Sequence, residues 1–393
     1  MGAPAELWKR RDYASIIEQA HQWIADDRRV LWDADLKAWL ALRWRNLFLN
    51  EAVHDQKALG AASRLFDRRP NRQKIAERYL LSSDRGEWRL EMPTTQAGSV
   101  KNTTLLFCPG LINGLLPARA FEHAFPGLVS KHGVRVLRAD CHPVRGAGAN
   151  GADISKALQD GFGRNAQGHL IPPQEAVSPG NVFMVGYSKG SVDIIHYLAA
   201  HPEMKHRVKA VFNWDGPVGG SPAANDVFAK IKDKNLKKLT DKLHRILGKL
   251  TPPSCKEPVE RLDEYDIKAA VRDLTVEHQT RFLQEHRDVL NDLQIPMFTV
   301  AGATRAPDVP LIQMMSYLSL KKYGPNDMQV TFDKTSLPVD MHIPLGLLHG
   351  QHWDMAYPAF VKRKRLNNMY HPFPKEAAVT AMFLLCAELG LID

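Results

Sequence analysis

One serine in this sequence has the neighbours that a catalytic nucleophile requires. Ser188 lies between Gly186 and Gly190 in a G-x-S-x-G pattern, which follows an apolar run and precedes a helical pattern. A serine on a sharp turn between a strand and a helix exposes its hydroxyl, and glycines at these two positions avoid collisions with neighbouring backbone. The pattern therefore predicts that Ser188 is a nucleophile at the end of a buried strand.

The elements that would position this serine begin near residue 78, where short β-rich runs replace helical spacing. Several runs are continuously apolar, as strands buried on both faces are, and helical patterns lie between them. This alternation predicts an α/β fold with a mostly parallel central sheet covered by helices. The runs are RYLLS (78–82), WRLEM (88–92), TTLLFC (103–108), VRVLRAD (134–140), NVFMVGY (181–187), KAVFNWD (209–215), IPMFTVAG (295–302) and HIPLGLL (342–348).

Two segments lie outside this alternation. Residues 1–76 show helical spacing and hold five of the eight tryptophans, so we predict a helical N-terminal extension that these aromatic rings dock onto the rest of the chain. Between residues 215 and 295 no strand pattern appears, and we predict a helical lid insertion over 221–293. The sheet would then be built from residues 77–220 and 294–393.

The strand, G-x-S-x-G turn and helix around Ser188 resemble the α/β-hydrolase family, in its lipase and esterase branch, and the resemblance extends from residue 78 to the C-terminus. The run VRVLRAD and the following loop resemble the fourth core strand of that family and its D-x-R-G-x-G loop. After TTLLFC the family usually has a His-Gly turn that supplies an oxyanion-hole amide. Here the sequence is Cys108-Pro109-Gly110-Leu111. Because a backbone N–H is the donor in such holes, the resemblance implies the amides of Leu111 and Lys189 as the oxyanion hole.

The resemblance also implies where the base and the acid lie. In the family the base follows the last strand, which favours His352, after Gly350-Gln351. His349, on or just after the strand, is the competing candidate, and we interpret His142 as a loop residue. The segment YGPNDMQV is similar to the GPNDG segment of lipase-like members, which favours Asp327 as the triad acid, although Met328 replaces the glycine. Asp308 and Asp215 remain alternative acids, with Asp340 as a fourth candidate.

Charge is concentrated in the predicted lid. The chain has a formal net charge of +9, and residues 228–250 hold seven lysines and one arginine against two aspartates. In the same stretch an apolar stripe at helical spacing predicts an amphipathic helix, formed by Leu236, Leu239, Leu243, Ile246 and Leu250. The stripe would either pack on the core or contact an anionic membrane surface. No nucleic-acid partner is expected, because no recognised module is present.

The sequence thus predicts a serine hydrolase that cleaves a carboxylic ester, with a small-molecule or lipid-like ester as substrate. The four cysteines show no metal-ligand spacing, and we expect neither a metal nor a cofactor. Without a signal peptide or a membrane-spanning run, we expect a cytoplasmic protein. An acyltransferase or thioesterase on the same triad remains an alternative, as does a non-enzymatic binding protein on a hydrolase scaffold. The sequence does not indicate the oligomeric state.

Overall fold

The fold is built around one six-stranded sheet whose strands are all parallel. The computed structural model describes residues 3–60, 67–84, 86–94, 100, 102–111, 118–250, 257–358 and 372–392. In chain order the strands are β1 (Thr103–Cys108), β2 (Arg135–Arg138), β3 (Asn181–Tyr187), β4 (Val208–Trp214), β5 (Met297–Ala303) and β6 (His342–His349). Across the sheet their order is β2-β1-β3-β4-β5-β6.

Six of the predicted runs form these strands, and the central ones are buried along almost their whole length. Parallel strands must be joined by crossovers, so helices cover both faces of the sheet and the strands are apolar on both sides. Phe183 and Phe212 lie in the core on one face, whereas Met184 and Val211 lie in the core on the other. Since all six strands run the same way, their carboxyl ends meet at one edge. This edge carries Ser188, Asp215 and the loop after β6.

Helices connect and flank the strands. Before the sheet come α1 (Ala3–Arg10), α2 (Tyr13–Asp26), α3 (Ala34–Ala52), α4 (Gln56–Leu59) and α5 (Asn71–Tyr79). Between the first four strands come α6 (Ala124–His132), α7 (Ala147–Asp160) and α8 (Lys189–Ala200). The remaining helices are α9 (Pro222–Ile231), α10 (Leu236–Leu250), α11 (Glu257–Glu260), α12 (Ile267–Arg272), α13 (Val276–Asp292), α14 (Met314–Leu320) and α15 (Lys375–Glu388). Among the described residues, none of the helices is long and apolar enough to cross a membrane.

The N-terminal helices share the core of the sheet through α3. Trp39 and Trp44 are buried there, in the same apolar cluster as Phe298 and Ile343 of β5 and β6. A buried ion pair strengthens the contact with the last helix, because Nε of Arg43 on α3 donates to the Glu388 carboxylate on α15 at 2.9 Å. The tryptophan-rich segment therefore packs on the sheet through several large aromatic side chains.

Two of the eight predicted strands are wrong. Residues 78–82 begin in the last turn of α5 and then form a bend, in which Leu80 makes a single antiparallel bridge with Leu348 of β6. Residues 88–92 follow Gly86 and include the end of a 3-10 turn. A short apolar run does not distinguish a strand from a buried helical turn, and here Ile75 and Tyr79 supply the buried face of a helix. Helix α5 also crosses residue 76, where we predicted the extension to end.

The segment between β4 and β5 is helical, with α9 to α13 in its described parts. It is attached to the loop after β2 by ion pairs, in which Arg145 contacts Glu264 at 2.8 Å and Arg261 contacts Asp140 at 3.2 Å. Leu111, from the loop after β1, packs against an apolar cluster that includes Ala224, Val271 and Leu274 of this insertion. The insertion therefore lies against the carboxyl edge of the sheet.

Candidate active site

The turn that carries Ser188 is strained and tightly packed. Ser188 has φ 53° and ψ −125°, a conformation that side chains rarely adopt, and it links β3 directly to α8. A Cβ at Gly186 would lie 2.4 Å from Cα of Ser191, and a Cβ at Gly190 would lie 2.0 Å from the carbonyl oxygen of Cys108. Only glycine fits at either position, which is the physical reason for the G-x-S-x-G pattern.

The imidazole of His352 lies beside this serine. Nε2 of His352 is 2.8 Å from Oγ of Ser188, a hydrogen-bonding distance. Tyr187 supports His352 through two contacts. Its hydroxyl donates to the His352 carbonyl at 2.8 Å, and the two rings stack with centroids 5.1 Å apart. The histidine is nearly inaccessible to solvent, so its position is determined by packing rather than by water.

Asp327 contacts the other ring nitrogen. Nδ1 of His352 lies 2.5 Å from Oδ2 of Asp327, and the His352 backbone N–H donates to the Asp327 carbonyl at 3.0 Å. The second carboxylate oxygen accepts backbone N–H groups from Gln329 at 2.8 Å and Val330 at 2.6 Å. Met328, which replaces the glycine of the similar family segment, has φ 82° and is fully buried. The glycine-like turn is therefore kept, at a steric cost of roughly 1 to 2 kcal/mol for a side chain in this region.

A second carboxyl group, Asp215, lies at the same nitrogen. Its Oδ2 is 3.2 Å from Nδ1 of His352, and its Oδ1 accepts the backbone N–H of Gly302 at 2.8 Å. Asp215 directly follows β4, is fully buried and has φ 55°. The structure thus brings Asp327 and Asp215 to one histidine, although the sequence predicts only one of them as the acid.

The pKa values of the two acids are shifted in opposite directions by burial and the neighbouring charges. Burial raises the pKa of Asp215 to about 8, and the negative charge of Asp327 acts in the same direction. Burial also disfavours ionisation of Asp327, but the charge and hydrogen bond of His352 outweigh it and lower the pKa of that carboxyl below its ordinary value. For His352 burial lowers the pKa, and the carboxylate of Asp327 more than offsets this and raises it. An imidazolium formed at His352 would therefore be stabilised.

The remaining candidates lie elsewhere. His349 and Asp308 pair with each other at 3.3 Å, at the end of β6. His142 is buried in the loop after β2, where its Nδ1 accepts the backbone N–H of Val144. Asp340 is exposed before β6. The structure does not bring any of these four side chains to the Ser188 hydroxyl.

The loop after β1 lies against the nucleophile, as its position in the sequence predicts. A Cβ at Gly110 would come within 2.9 Å of the Ser188 Cβ, so the backbone there approaches the serine closely. Leu111 follows, and residues 112–117 lie outside the described part of the chain. Lys189 is the first residue of α8, which leaves its N–H without an intrahelical acceptor. The Lys189 side chain is turned away into a buried ion pair with Asp193.

The same carboxyl groups and imidazole form the one set of metal-type ligands among the described residues, Asp215, Asp327 and His352. The distance between His352 Nδ1 and Asp327 Oδ2 is 2.5 Å. Two ligands of one metal ion, each about 2 Å from it, would be about 3 Å apart. These two atoms therefore contact each other through a shared proton. Cys108, Cys141 and Cys386 are buried free thiols, and Cys255 lies outside the described residues.

Sequence reasoning missed Tyr187 as a support for His352 and the joint position of the two acids. Tyr187 occupies the second position of the G-x-S-x-G pattern, where the residue type is unrestricted, so the pattern holds no signal for its role. Asp215 and Asp327 are separated by more than 100 residues. Only the pairing of β4 with β5 and of β5 with β6 brings their loops together.

Comparison with known proteins gives similarity in structure only. No family model matches the sequence, and no curated protein matches it. The metagenomic carboxyl esterase MGS0156 has a similar structure, with a TM-score of 0.60 and 20% sequence identity over 87% of this chain and 90% of that chain. The mature form of the Bacillus licheniformis lipase BlEst2 aligns with a TM-score of 0.46 and 22% identity, over 67% of this chain and 89% of the lipase.

At this level of identity the esterase structure indicates the fold. Together with the parallel sheet, the strained serine turn after β3 and the histidine after the last strand, it shows that this chain has the α/β-hydrolase fold.

Proposed function

We propose that the protein is a serine hydrolase that cleaves a carboxylic ester through an acyl-enzyme on Ser188. The observation that carries this proposal is the continuous chain of contacts from Asp327 through His352 to the Ser188 hydroxyl, at 2.5 and 2.8 Å. A nucleophile, a base and an orienting acid at these distances form the arrangement that activates serine in acyl transfer.

In the proposed acylation step, Oγ of Ser188 attacks the carbonyl carbon of the ester while its proton moves to Nε2 of His352. Asp327 orients the imidazole through Nδ1 and stabilises the imidazolium that forms. The negative charge on the carbonyl oxygen would be held by the backbone amides of Leu111 and Lys189, the second of them at the positive end of α8.

When the tetrahedral intermediate collapses, the bond to the alcohol oxygen breaks and His352 gives its proton to the leaving alcohol. A water molecule then attacks the acyl-enzyme, with His352 as base, and releases the carboxylic acid and the free serine. The residues require no metal or cofactor for either step. The insertion over 221–293 acts as a lid in this proposal, since it packs on Leu111 beside the serine.

The test is labelling with a fluorophosphonate probe followed by turnover of a p-nitrophenyl ester series. The proposal expects covalent labelling at Ser188 and release of p-nitrophenol with water as acceptor. Alcohol and thiol acceptors added in parallel distinguish hydrolysis from acyl transfer, because a transferase would form the new ester or thioester instead of the acid. A protein that neither reacts with the probe nor turns over any ester would be a binding protein on this scaffold.

A lipid-like substrate at a membrane surface is the second part of the proposal, and one exposed face favours it. Leu311 and Met315, ahead of and within α14, are 88% and 78% exposed, and Ile312 and Leu318 extend the same face. Such a patch on a single-chain surface marks a site for another apolar surface. It lies beside the site, because Ser316 Oγ on α14 donates to the carbonyl of Met328 at 2.7 Å.

The basic helix α10 is the cationic part of this surface in our proposal. Lys234, Lys237, Lys238 and Lys242 are exposed, before and on α10. In its apolar stripe Leu236, Leu239 and Leu243 are half-buried and Ile246 is exposed, and Leu243 packs against the cluster of Val144 and Tyr265. The lysines are therefore free to attract anionic lipid even though the stripe is partly occupied by the protein's own core.

A further inference from the structure

The inference concerns the second carboxyl group at the proposed triad, and it rests on the proposed function. Oδ2 of Asp215 lies 3.2 Å and Oδ2 of Asp327 lies 2.5 Å from Nδ1 of His352, and the ligand atoms of the three residues all lie within 4.8 Å of one another. A hydrogen bond between two carboxyl groups needs a proton on one of them, because an ionised carboxylate only accepts. The question is which acid holds that proton.

The hydrogen-bond donors around the two acids decide the answer. Asp327 receives Nδ1 of His352 and the backbone N–H groups of Gln329 and Val330. Asp215 receives the backbone N–H of Gly302 on one oxygen. Three donors stabilise a carboxylate better than one does, so the negative charge belongs on Asp327.

The second oxygen of Asp215 points to the same conclusion. Oδ2 of Asp215 accepts no hydrogen bond from the described residues, although it is buried. The ring nitrogen of His352 is 3.2 Å away, but its single N–H is taken by the shorter contact with Asp327 at 2.5 Å. An ionised Asp215 would leave a charged oxygen buried without a donor, which is costly. A protonated Oδ2 becomes a donor and removes this cost.

We propose that Asp215 is a neutral carboxylic acid that donates a hydrogen bond to the Asp327 carboxylate, and that it is a positioning residue for the Asp327–His352 pair. The proton stays within the site: Asp215 keeps it while Ser188 Oγ gives its own proton to His352. The titratable groups that face Asp215 are Asp327, His352 and the buried hydroxyl of Tyr187.

This arrangement matters for the base. Two ionised carboxylates beside Nδ1 would hold a proton on His352 in the resting enzyme, so that its Nε2 could not accept the serine proton. One carboxylate and one neutral acid keep the orientation of the imidazole with a single negative charge. The strained backbone of Asp215, with φ 55°, holds the acid at this position.

The experiment compares two substitutions at this position. Asp215→Asn keeps a neutral donor of the same shape, whereas Asp215→Ala removes the donor. We expect kcat for a p-nitrophenyl ester to fall roughly 10- to 100-fold in the alanine variant, the range for loss of a hydrogen bond to a charged group, and less than about tenfold in the asparagine variant. The acidic limb of the pH profile should stay within about half a unit of wild type in Asp215→Asn, because no resting charge is removed.

Infrared difference spectroscopy of the whole protein supplies a measurement that does not depend on turnover. At neutral pH the spectrum of the wild type minus that of Asp215→Asn should show the carbonyl stretch of a buried protonated carboxylic acid. The contribution of Asp354, whose pKa burial also raises to about 8, is common to both proteins and cancels. The proposal is overturned if the wild type lacks this band, if Asp215→Asn keeps all of it, or if Asp215→Asn loses as much activity as Asp327→Asn. Absence of esterase activity in the wild type would instead overturn the proposed function, while the infrared result would still decide the state of Asp215.

Discussion

His349 and Asp308 form a pair of their own at the end of β6, with Nε2 of the histidine 3.3 Å from Oδ2 of the aspartate. Nδ1 of His349 lies 3.0 Å from the carbonyl oxygen of Arg78, so it donates a hydrogen bond to this carbonyl in the last turn of α5. His349, the alternative base, and Asp308, an alternative acid, therefore contact each other. Through Arg78 this pair joins the N-terminal helices to the sheet. His349 and His352 are only three residues apart in the chain, yet their ring nitrogens contact different aspartates.

Replacement of the two histidines should have opposite effects. His352→Gln should lower ester turnover by about 10⁴ or more, since the serine loses its base. His349→Gln should retain most of the turnover but lower the melting temperature, because the contact between α5 and β6 is weakened. Turnover and thermal unfolding measured on both variants check this, and equal loss of turnover in both would contradict the assignment of His352.

Ser188→Ala should abolish fluorophosphonate labelling and lower ester turnover by at least about 10⁴. The fold should remain intact, because the only hydrogen bond of this hydroxyl among the described residues is with His352 and alanine is smaller than serine. Ser191→Ala is a matched control in the first turn of α8, since Ser191 Oγ donates to the Gly186 carbonyl and lies outside the proposed triad. Turnover in Ser188→Ala above about a tenth of wild type would show that the nucleophile lies elsewhere.

Among the aspartates, Asp327→Asn should cause the largest loss of turnover. An amide at this position would hold the imidazole in the wrong tautomer, an effect of about 10⁴ in a well-studied triad. Asp308→Asn and the exposed Asp340→Asn should stay close to wild type and serve as controls for the charge change. If Asp308→Asn were the slower enzyme, the acid would be on the loop after β5 instead.

The pH dependence of stability reports the proton on Asp215. Its pKa is raised to about 8 by burial, then by Asp327, whereas an unfolded aspartate releases its proton near pH 4. Between these values the folded chain holds one more proton than the unfolded chain, so the free energy of unfolding falls as the pH rises. Relative to Asp215→Asn, the wild type should therefore lose stability from about pH 5 to pH 8 in chemical denaturation. A constant difference between the two proteins would show that the proton is absent.

Vesicle co-sedimentation tests the lipid surface. Neutralising Lys234, Lys237, Lys238 and Lys242 should weaken binding to anionic vesicles by about 1 kcal/mol for each lysine near the membrane, and high salt should have a similar effect. Leu311→Gln with Met315→Gln should weaken binding at both salt concentrations, because these side chains would enter the apolar layer. Turnover of a short soluble ester should change little in either variant.

The control for the apolar face is Val177→Gln, because Val177 is an exposed apolar residue whose carbonyl accepts a hydrogen bond from Arg135 of β2, the edge strand opposite β6. It should bind vesicles like the wild type. Leu243→Asp should instead destabilise the fold, because it places a charge against the Val144 and Tyr265 cluster. No binding of the wild type at low salt would contradict the membrane proposal and leave the helix α10 as a packing element.

The sequence by itself determined the sheet and the serine turn, because both are local in the chain. Continuous apolar runs predict buried parallel strands, and the steric limits at Gly186 and Gly190 are visible in five consecutive residues. The runs at 78–82 and 88–92 were misread because short apolar segments carry no period long enough to separate a helix from a strand. At 78–82 the strand propensity of the run is overridden by the packing of Ile75 and Tyr79, which form the buried face of a helix.

The tertiary structure decided the partners of the two histidines and the relation between the acids. Asp215, Asp327 and His352 come from three loops that are distant in the chain, and they meet only because β4, β5 and β6 pair in that order. Whether two carboxyl groups are alternatives or neighbours depends on this register. The contacts with His352 that separate their pKa values depend on it as well. Electrostatic coupling acts through space and not along the sequence, which is why no spacing of residues could predict it.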